Sequence, residues 1–213
     1  MTFKYRPEFF DPRDIDDAKN IILGFDDLDL AKRWELETEW LRGLFKELNT
    51  FSPDSRVLDF GCGIGRVTKV LIEVFGCKVY GYDISPRMLE HAVPYVNDAR
   101  FHPSYVSPFY RKNAFTHAIS IWALQHSVNS TADIIMISEC LKPGGDLFVL
   151  EMNRKCVPMQ PLPSGQAYFD NGEDNRRELF KRFNVVREGK LPLGVARQDI
   201  VDASWWALLR KKT

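Results

Sequence analysis

The sequence predicts an α/β fold: a three-layer sandwich with a mostly parallel sheet between two layers of helices. Three observations lead there. Between Arg56 and Glu151, short apolar runs alternate with stretches of helical period, the order expected of a parallel sheet. The first apolar run ends in a glycine-rich turn that opens directly into a helical stretch. The last two apolar runs, in contrast, can pair as an antiparallel hairpin at one edge.

The elements follow in order. Asp11-Pro12 reads as a helix cap with proline at the first helical position, Asp14 three residues on and Gly24 as the stop. Ile15, Ala18 and Ile22 then face inward. A second helix covers Asp29 to Leu48, with Leu30, Trp34, Leu41, Leu44, Phe45 and Leu48 along one stripe, and the stretch from Asn49 to Pro53 ends it. Arg56–Phe60 is the first strand of the alternating region. Gly65–Phe75 is helical, with Val67, Val70, Leu71 and Val74 on one face and Gly76 as its stop.

Lys78–Tyr82 is the next strand. Ser85 and Pro86 open a helix that buries Met88, Leu89 and Ala92 until Pro94 interrupts it. A weak strand lies near Ala99–Val106, and a stronger one at Ala114–Ile121. Asn129–Leu141 is a helix ended by Lys142-Pro143-Gly144-Gly145, and Asp146–Glu151 is a strand. After a proline- and glycine-rich loop, Asp174–Phe183 is helical, and Val185–Leu191 and Trp205–Arg210 form the hairpin. Trp205 and Trp206 point to opposite faces of such a strand, so at least one is core.

Composition narrows the functional classes. At 213 residues with 45% apolar side chains, the chain can bury a sizeable core as one structural domain. Its 29 basic and 29 acidic residues cancel, so no global field announces nucleic acid or an anionic membrane. Residues 1–50 carry 8 basic and 12 acidic side chains, residues 51–150 carry 9 of each, and residues 151–213 carry 12 and 8. The middle therefore reads as a core domain flanked by ends of opposite charge. The N-terminal stretch lacks the apolar run of a signal peptide, and no segment has the roughly 20 apolar residues of a membrane span. Cys62, Cys77, Cys140 and Cys156 are scattered, as are the four histidines, which argues against a zinc site or disulfide scaffold and for reduced thiols in the cytoplasm.

The chemistry concentrates in Val57-Leu58-Asp59-Phe60-Gly61-Cys62-Gly63-Ile64-Gly65-Arg66. Closely spaced glycines at a strand-to-helix turn let backbone N–H groups approach a ligand unobstructed. The dinucleotide fingerprint would place its third glycine where Arg66 stands, so the spacing favours a ligand without a pyrophosphate. Tight packing of strand on helix is the alternative use of such glycines. Asp83 follows the next strand, 24 residues after Asp59, where a carboxylate can accept bonds from ribose hydroxyls. As a plain loop acid it would only precede the Ser85 cap.

With these residues the sequence resembles the class I S-adenosylmethionine-dependent methyltransferases. VLDFGCGIGR is similar to the family's first motif, GYDIS with Met88-Leu89 to its ribose-binding segment, and Ala118–Met152 to its fourth strand, following helix, Lys-Pro-Gly-Gly turn and fifth strand. The resemblance covers about residues 50–152. It implies a Rossmann-like, seven-stranded sheet ending in the antiparallel hairpin, with residues 1–50 as a helical lid on a methyltransferase domain at 51–213. It also implies that Gly61, Gly63 and Gly65 wrap the methionine and ribose, that Asp59 supports the turn or the methionine amine, and that Asp83 holds the ribose. Ile84 and Met88 would pack near the adenine and Trp122 would touch the methionine end, although ordinary core packing accounts for all three equally well.

Two departures stand out. Many relatives place an acidic residue after the third strand to bond the adenine amino group, where this chain reads Arg100-Phe101-His102-Pro103-Ser104-Tyr105-Val106; Ser104 or the backbone would have to serve. Thr116 stands where relatives commonly carry an aspartate. For the implied methyl transfer, His126 is the first candidate for a general base, since it follows the fourth strand at the carboxyl edge of the sheet. Glu151, Asn153, Tyr5, Arg6, Trp34, Tyr168 and Phe169 are further candidates for the acceptor side or the lid. A small-molecule acceptor, methylated on oxygen, nitrogen or carbon, is the expected substrate, with no metal. A protein methyltransferase and a cofactor-binding module without catalysis stay open as alternatives.

Overall fold

The computed structural model describes residues 4–23, 29–108, 111–153, 156–160 and 174–213. Strand β1 (Lys4–Tyr5) and a single 3-10 turn (Pro7–Phe10) precede helices α1 (Ile15–Leu23) and α2 (Leu30–Leu48). Then come β2 (Arg56–Phe60), α3 (Arg66–Phe75), β3 (Lys78–Tyr82), α4 (Pro86–Val96), β4 (Phe101–Ser104), β5 (Phe115–Ile121), α5 (Ser130–Cys140) and β6 (Leu141–Met152). The chain continues through β7 (Met159–Gln160), α6 (Arg176–Arg182), β8 (Phe183–Gly189), α7 (Gln198–Ala203) and β9 (Ser204–Lys211).

Seven strands form one sheet in the order β4-β3-β2-β5-β6-β9-β8. All pairs from β4 to β6 are parallel, while β9 runs antiparallel to β6 and to β8. The mostly parallel sheet with its terminal hairpin is the one expected from the sequence. Beyond β2 the chain first builds outward through β3 and β4, then crosses back to place β5 on the other side. Such a reversal opens a crevice at the carboxyl ends of the strands, where ligands of open α/β sheets bind.

Alternation of side chains supplies both faces. Phe148 and Trp206 pack with Leu41, Phe45, Leu71 and Val79 under α2 and α3, whereas Leu147, Trp205 and Leu209 pack with Ile134, Ile137 and Leu179 under α5 and α6. Both tryptophans are therefore core, one on each face. Helix α2 is part of this core, since its Leu41, Leu44 and Phe45 pack with the sheet. The Asp29 carboxylate caps it by accepting from Ala31 and Lys32.

Several boundaries differ from expectation for identifiable reasons. Helix α1 starts at Ile15, capped by Asp14, whose carboxylate accepts from the backbone of Asp16 and Asp17 at 3.1 and 2.8 Å. Asp11 does not cap it; its carboxylate accepts from the Ser85 hydroxyl at 2.9 Å. Gly24, the expected stop, lies outside the described residues. Helix α4 runs through Pro94 to Val96, because the proline falls in the last turn and removes only one backbone donor. Lys142–Gly145 is a bulge within β6 rather than a loop before it: Phe115 pairs with Leu141, and His117 already pairs with Asp146. Helix α7 and the short antiparallel pair β1·β7 were not foreseen; each is too short to show a period.

Phe148 stands at the middle of the sheet, with its ring 4.9 Å from that of Phe45 at a near-perpendicular angle and 5.9 Å from Trp206 in a stacked pose. Phe148→Ala is expected to cost about 3–5 kcal/mol of stability. A drop in urea midpoint at unchanged slope would measure it, and a loss under 1 kcal/mol would show that the site collapses to fill the void.

Candidate functional site

Beneath α1, at the carboxyl ends of β2, β3 and β5, lies a cavity of about 300 Å³. Its floor is the turn after β2. Gly61, Gly63 and Gly65 have φ of 75°, 52° and 80°, values that L side chains rarely adopt. Space adds a second constraint at Gly61, where a Cβ would lie 2.3 Å from that of Ala123. The turn is bound to the end of β3: Gly61 and Cys62 donate to the Tyr82 carbonyl at 2.7 and 3.0 Å, and Gly63 donates to Asp83 Oδ2 at 2.8 Å. Gly65 donates to the Cys62 carbonyl at 2.9 Å. These N–H groups hold protein to protein, and the space a Cβ would take at Gly63 and Gly65 is likewise filled, by Ile22 at 2.7 Å and Val96 at 2.5 Å, which is the packing use of such glycines. Gly65 itself does not line the cavity but caps α3.

Asp59, Gly61, Gly63, Asp83, Ile84, Met88, Trp122 and His126 all line the cavity. Ile84 is 47% exposed at its rim, whereas Met88 is buried against Ala18 and Ile64. Ser104 does not line it; at the end of β4 its hydroxyl donates to the Val106 carbonyl at 2.9 Å. Asp59 is buried, accepting from the Thr68 hydroxyl at 2.6 Å, and burial pushes its carboxyl up to about 7, with the charge of Asp83 adding to the rise. Asp83 is pushed up to about 6 by burial, opposed by the N–H donors of Ser85 and Gly63.

Trp122 leaves β5 with φ of 56°, a strained value for a bulky side chain. Its backbone N–H donates to Leu150 at 2.7 Å, and its indole Nε1 donates to Glu37 Oε1 at 2.8 Å. His126 lies on the following turn. Its Nδ1 is 2.7 Å from the Cys156 carbonyl, which can only accept, so Nδ1 carries the proton. Nε2 faces the Gln125 amide nitrogen at 3.1 Å, and that amide is oriented by the Met152 N–H, which donates to its oxygen at 2.6 Å. Burial pushes the imidazole down to about 4. These contacts describe a neutral histidine whose lone pair already accepts a bond, which is a poor arrangement for the general base expected of it.

Sequence reasoning missed the group behind Trp122. Arg33 and Glu37 of α2 and Arg66 of α3 are 2%, 0% and 3% exposed. Arg66 Nη2 lies 2.6 Å from Glu37 Oε1, Arg33 Nη2 lies 3.5 Å from Glu37 Oε2, and the Arg66 guanidinium sits over the Trp34 ring at 5.0 Å. Arg66 also lines the cavity. The signal was present: in the apolar stripe Trp34, Leu41, Leu44 and Leu48, the residue at position 37 is a glutamate.

From the N-terminal segment, Tyr5 and Phe10 line the cavity together with Ile21 and Ile22 of α1. Backbone pairing of β1 with β7 and the bond from Arg6 N–H to the Pro158 carbonyl at 3.0 Å hold this strap down. Burial, with the nearby Asp133 charge, pushes the Tyr5 phenol up to about 12, so it stays neutral. Arg6 pairs with Glu8, and Trp34 packs against Tyr95 at 6.3 Å. Glu151 is buried and accepts from the Asn175 amide at 2.8 Å; Tyr168 and Phe169 lie outside the described residues.

A carboxyl raised in the folded state contributes stability that is complete below its unfolded pKa and is lost as pH rises through the folded value. For Asp59 that window runs from about pH 4 to 7. Asp59→Asn is therefore expected to gain on the wild type by about 2.7 kcal/mol between pH 5 and pH 8, at about 1.4 kcal/mol per unit. Urea melts of both proteins at the two pH values measure it; a constant difference would contradict a buried, proton-holding Asp59.

The methyltransferase-domain family model matches residues 33–207. Among curated proteins, phosphoethanolamine N-methyltransferase 2 of Caenorhabditis elegans is 29% identical over 112 residues, which is 50% of this chain and 26% of that protein. The ubiquinone biosynthesis O-methyltransferase of Saccharophagus degradans is 26% identical over 153 residues, 62% of this chain and 64% of that one. The chain thus spans about a quarter of the first relative and just under two thirds of the second. In fold it is similar to the geranyl diphosphate C-methyltransferase of Streptomyces coelicolor, solved with S-adenosyl-L-homocysteine, at a TM-score of 0.65 and 16% identity over 94% of this chain and 86% of that one. With its family model covering most of the sequence, the chain belongs to the methyltransferase-domain family.

Proposed function

We propose that the protein transfers a methyl group from S-adenosylmethionine to a small-molecule acceptor. The observation that carries this reading is Asp83, a half-buried carboxylate on the cavity wall, fixed by the backbone of Gly63 and Ser85 beside the glycine turn after β2. That arrangement suits two adjacent ribose hydroxyls. Arg66 supplies the complement at the other end: its Nε and Nη1 are buried without a hydrogen-bond partner among the described residues, and the residue lines the cavity, which suits the cofactor's carboxylate. Ile84 and Met88 form an apolar platform for the adenine, and Asp59 braces the turn through Thr68.

When bound, the cofactor would supply an activated methyl on a sulfonium, open to attack by an acceptor's lone pair. The protein's share is alignment and exclusion of water. Tyr5, Phe10, Ile22 and Trp122 line the cavity with apolar surface, and the strained Trp122 backbone places its ring at the end of β5. His126 acts as a neutral hydrogen-bonded post joining the β5 turn to Cys156, and an acceptor that must lose a proton releases it to bulk solvent before it enters the cavity.

Relatives with small-molecule acceptors support a small-molecule acceptor here. Among the described lining residues, Arg66 is the only lysine or arginine, which favours an acceptor without a phosphate. Cys62, Cys77 and Cys140 are buried and Cys156 is half-buried, all as free thiols, which supports a reducing compartment, the cytoplasm. No described helix is long and apolar enough to cross a membrane.

Asp83→Ala is expected to weaken S-adenosylhomocysteine binding at least about 30-fold in a calorimetric titration, roughly 2 kcal/mol; unchanged affinity of the folded variant would remove the ribose assignment. With methyl-labelled S-adenosylmethionine and a panel of phenols, amines and phosphorylated amines, label should enter phenols or free amines. Label confined to the phosphorylated amines would reverse the acceptor assignment.

A further inference from the structure

Glu37 has no counterpart in the reading above, yet it is the most deeply buried charge of the site, 0% exposed on a helix that precedes the sheet. Its Oε1 accepts from both Arg66 Nη2, at 2.6 Å, and Trp122 Nε1, at 2.8 Å, while Oε2 faces Arg33 Nη2 at 3.5 Å. One carboxylate thus lies between two guanidinium groups and an indole donor. The three charged groups sum to one excess positive charge, and the Arg66 Nη1 and Nε atoms, which Glu37 does not engage, are without a hydrogen-bond partner among the described residues. Buried donors of this kind are costly unless a ligand completes them.

Arg33 cannot take the ligand's place or Arg66's role, because its Nη1 donates to the Leu23 carbonyl at 2.5 Å and so ties the cluster to the end of α1. The indole ring of Trp34 fixes the guanidinium of Arg66 from one face. The edge that remains unpaired is set by which nitrogen Glu37 holds.

We propose that Glu37 is a positioning residue for cofactor binding: by holding Arg66 Nη2 and Trp122 Nε1 on one oxygen, it keeps the unpaired Nε and Nη1 of Arg66 for the cofactor's carboxylate and fixes the ring at its methionine end. The proposal rests on the assignment of Arg66 to that carboxylate. A glutamine at position 37 cannot reproduce the arrangement. Whichever way its amide turns, an NH₂ group faces either Arg33 or the Arg66 and Trp122 donors, and the two guanidinium groups lose the anion between them.

The test compares two ligands that differ in the amino-acid part: S-adenosylhomocysteine, which has it, and 5′-methylthioadenosine, which lacks it. Titration calorimetry on wild type, Glu37→Gln, Glu37→Asp, Arg66→Gln and the Glu37→Gln, Arg66→Gln double variant gives the preference for the first over the second. Glu37→Gln is expected to lower that preference at least fivefold while leaving 5′-methylthioadenosine within twofold. Glu37→Asp, which keeps the charge and should fold where the amide does not, retains more of the preference than Glu37→Gln but less than wild type. In the Arg66→Gln background the Glu37→Gln effect should vanish. Equal weakening of both ligands, or the same effect with and without Arg66, would reduce Glu37 to a structural ion and overturn the proposal; wild-type preference in Glu37→Asp would do so if Glu37→Gln is unfolded. If Arg66→Gln itself keeps the preference, the carboxylate assignment fails first, and the two failures are distinguished.

Discussion

Gly61 and Cys62 both donate to the Tyr82 carbonyl, and Gly63 donates to the Asp83 carboxylate; on these bonds between neighbouring strand ends the geometry of the cavity depends. They join the turn after β2 to the end of β3, so the carboxylate and the open floor beside it are set as one piece. Parallel strands need this more than antiparallel ones, since no hairpin links β2 to β3 and α3 must travel the length of the sheet between them. Positive φ at the glycines makes the path possible, and the close approach of Ala123 leaves no room for a side chain at Gly61.

Around that floor the protein accumulates groups that folding alone does not favour. Two carboxyls, Asp59 and Asp83, are pushed upward by burial, Trp122 holds a left-handed backbone, and Arg33, Glu37 and Arg66 form a buried ionic group. Removing one partner from a buried ion pair typically costs about 3–5 kcal/mol, a large part of the stability of a domain this size. The sheet can carry these costs because apolar layers cover both of its faces, from Phe45 and Phe148 on one side to Phe115 and Phe183 on the other. Unfavourable groups gathered at one strand-end crevice, with ordinary packing elsewhere, are the pattern expected where a site has been built into a stable frame.

Much of that frame was legible from residue order. The alternation from Arg56 to Glu151 located β2, β3, β5 and β6 with their helices, and the glycine turn with Asp83 located the floor of the cavity, because both depend on neighbours in sequence. What escaped depends on contacts between distant segments. Asp14 rather than Asp11 caps α1 because Asp11 is engaged by Ser85, 74 residues away. Glu37 reads as a solvated helix charge until Arg66 and Trp122, 29 and 85 residues later, are placed beside it. His126 has the residue type and the location of a base, and only the Cys156 carbonyl and the Gln125 amide reveal that both ring nitrogens are engaged. Ser104 had the right chemistry for an adenine contact, yet its hydroxyl turns to its own loop.

The strap across the top of the cavity is fastened differently from everything beneath it. Two residues of β1 pair with two of β7, with one more backbone bond from Arg6, the Phe10 ring on His126 and the Asp11 carboxylate on the Ser85 hydroxyl, whereas the sheet below is pinned by long ladders and two apolar layers. A fastening of that size opens by local fluctuation, far below the free energy of unfolding the domain. Residence time in the cavity is consequently separable from the melting temperature: changes in the strap alter how fast molecules enter and leave without altering how stable the protein is, and the reverse holds for changes in the sheet. For an enzyme whose turnover is set by departure of product, that separation lets the two properties drift independently.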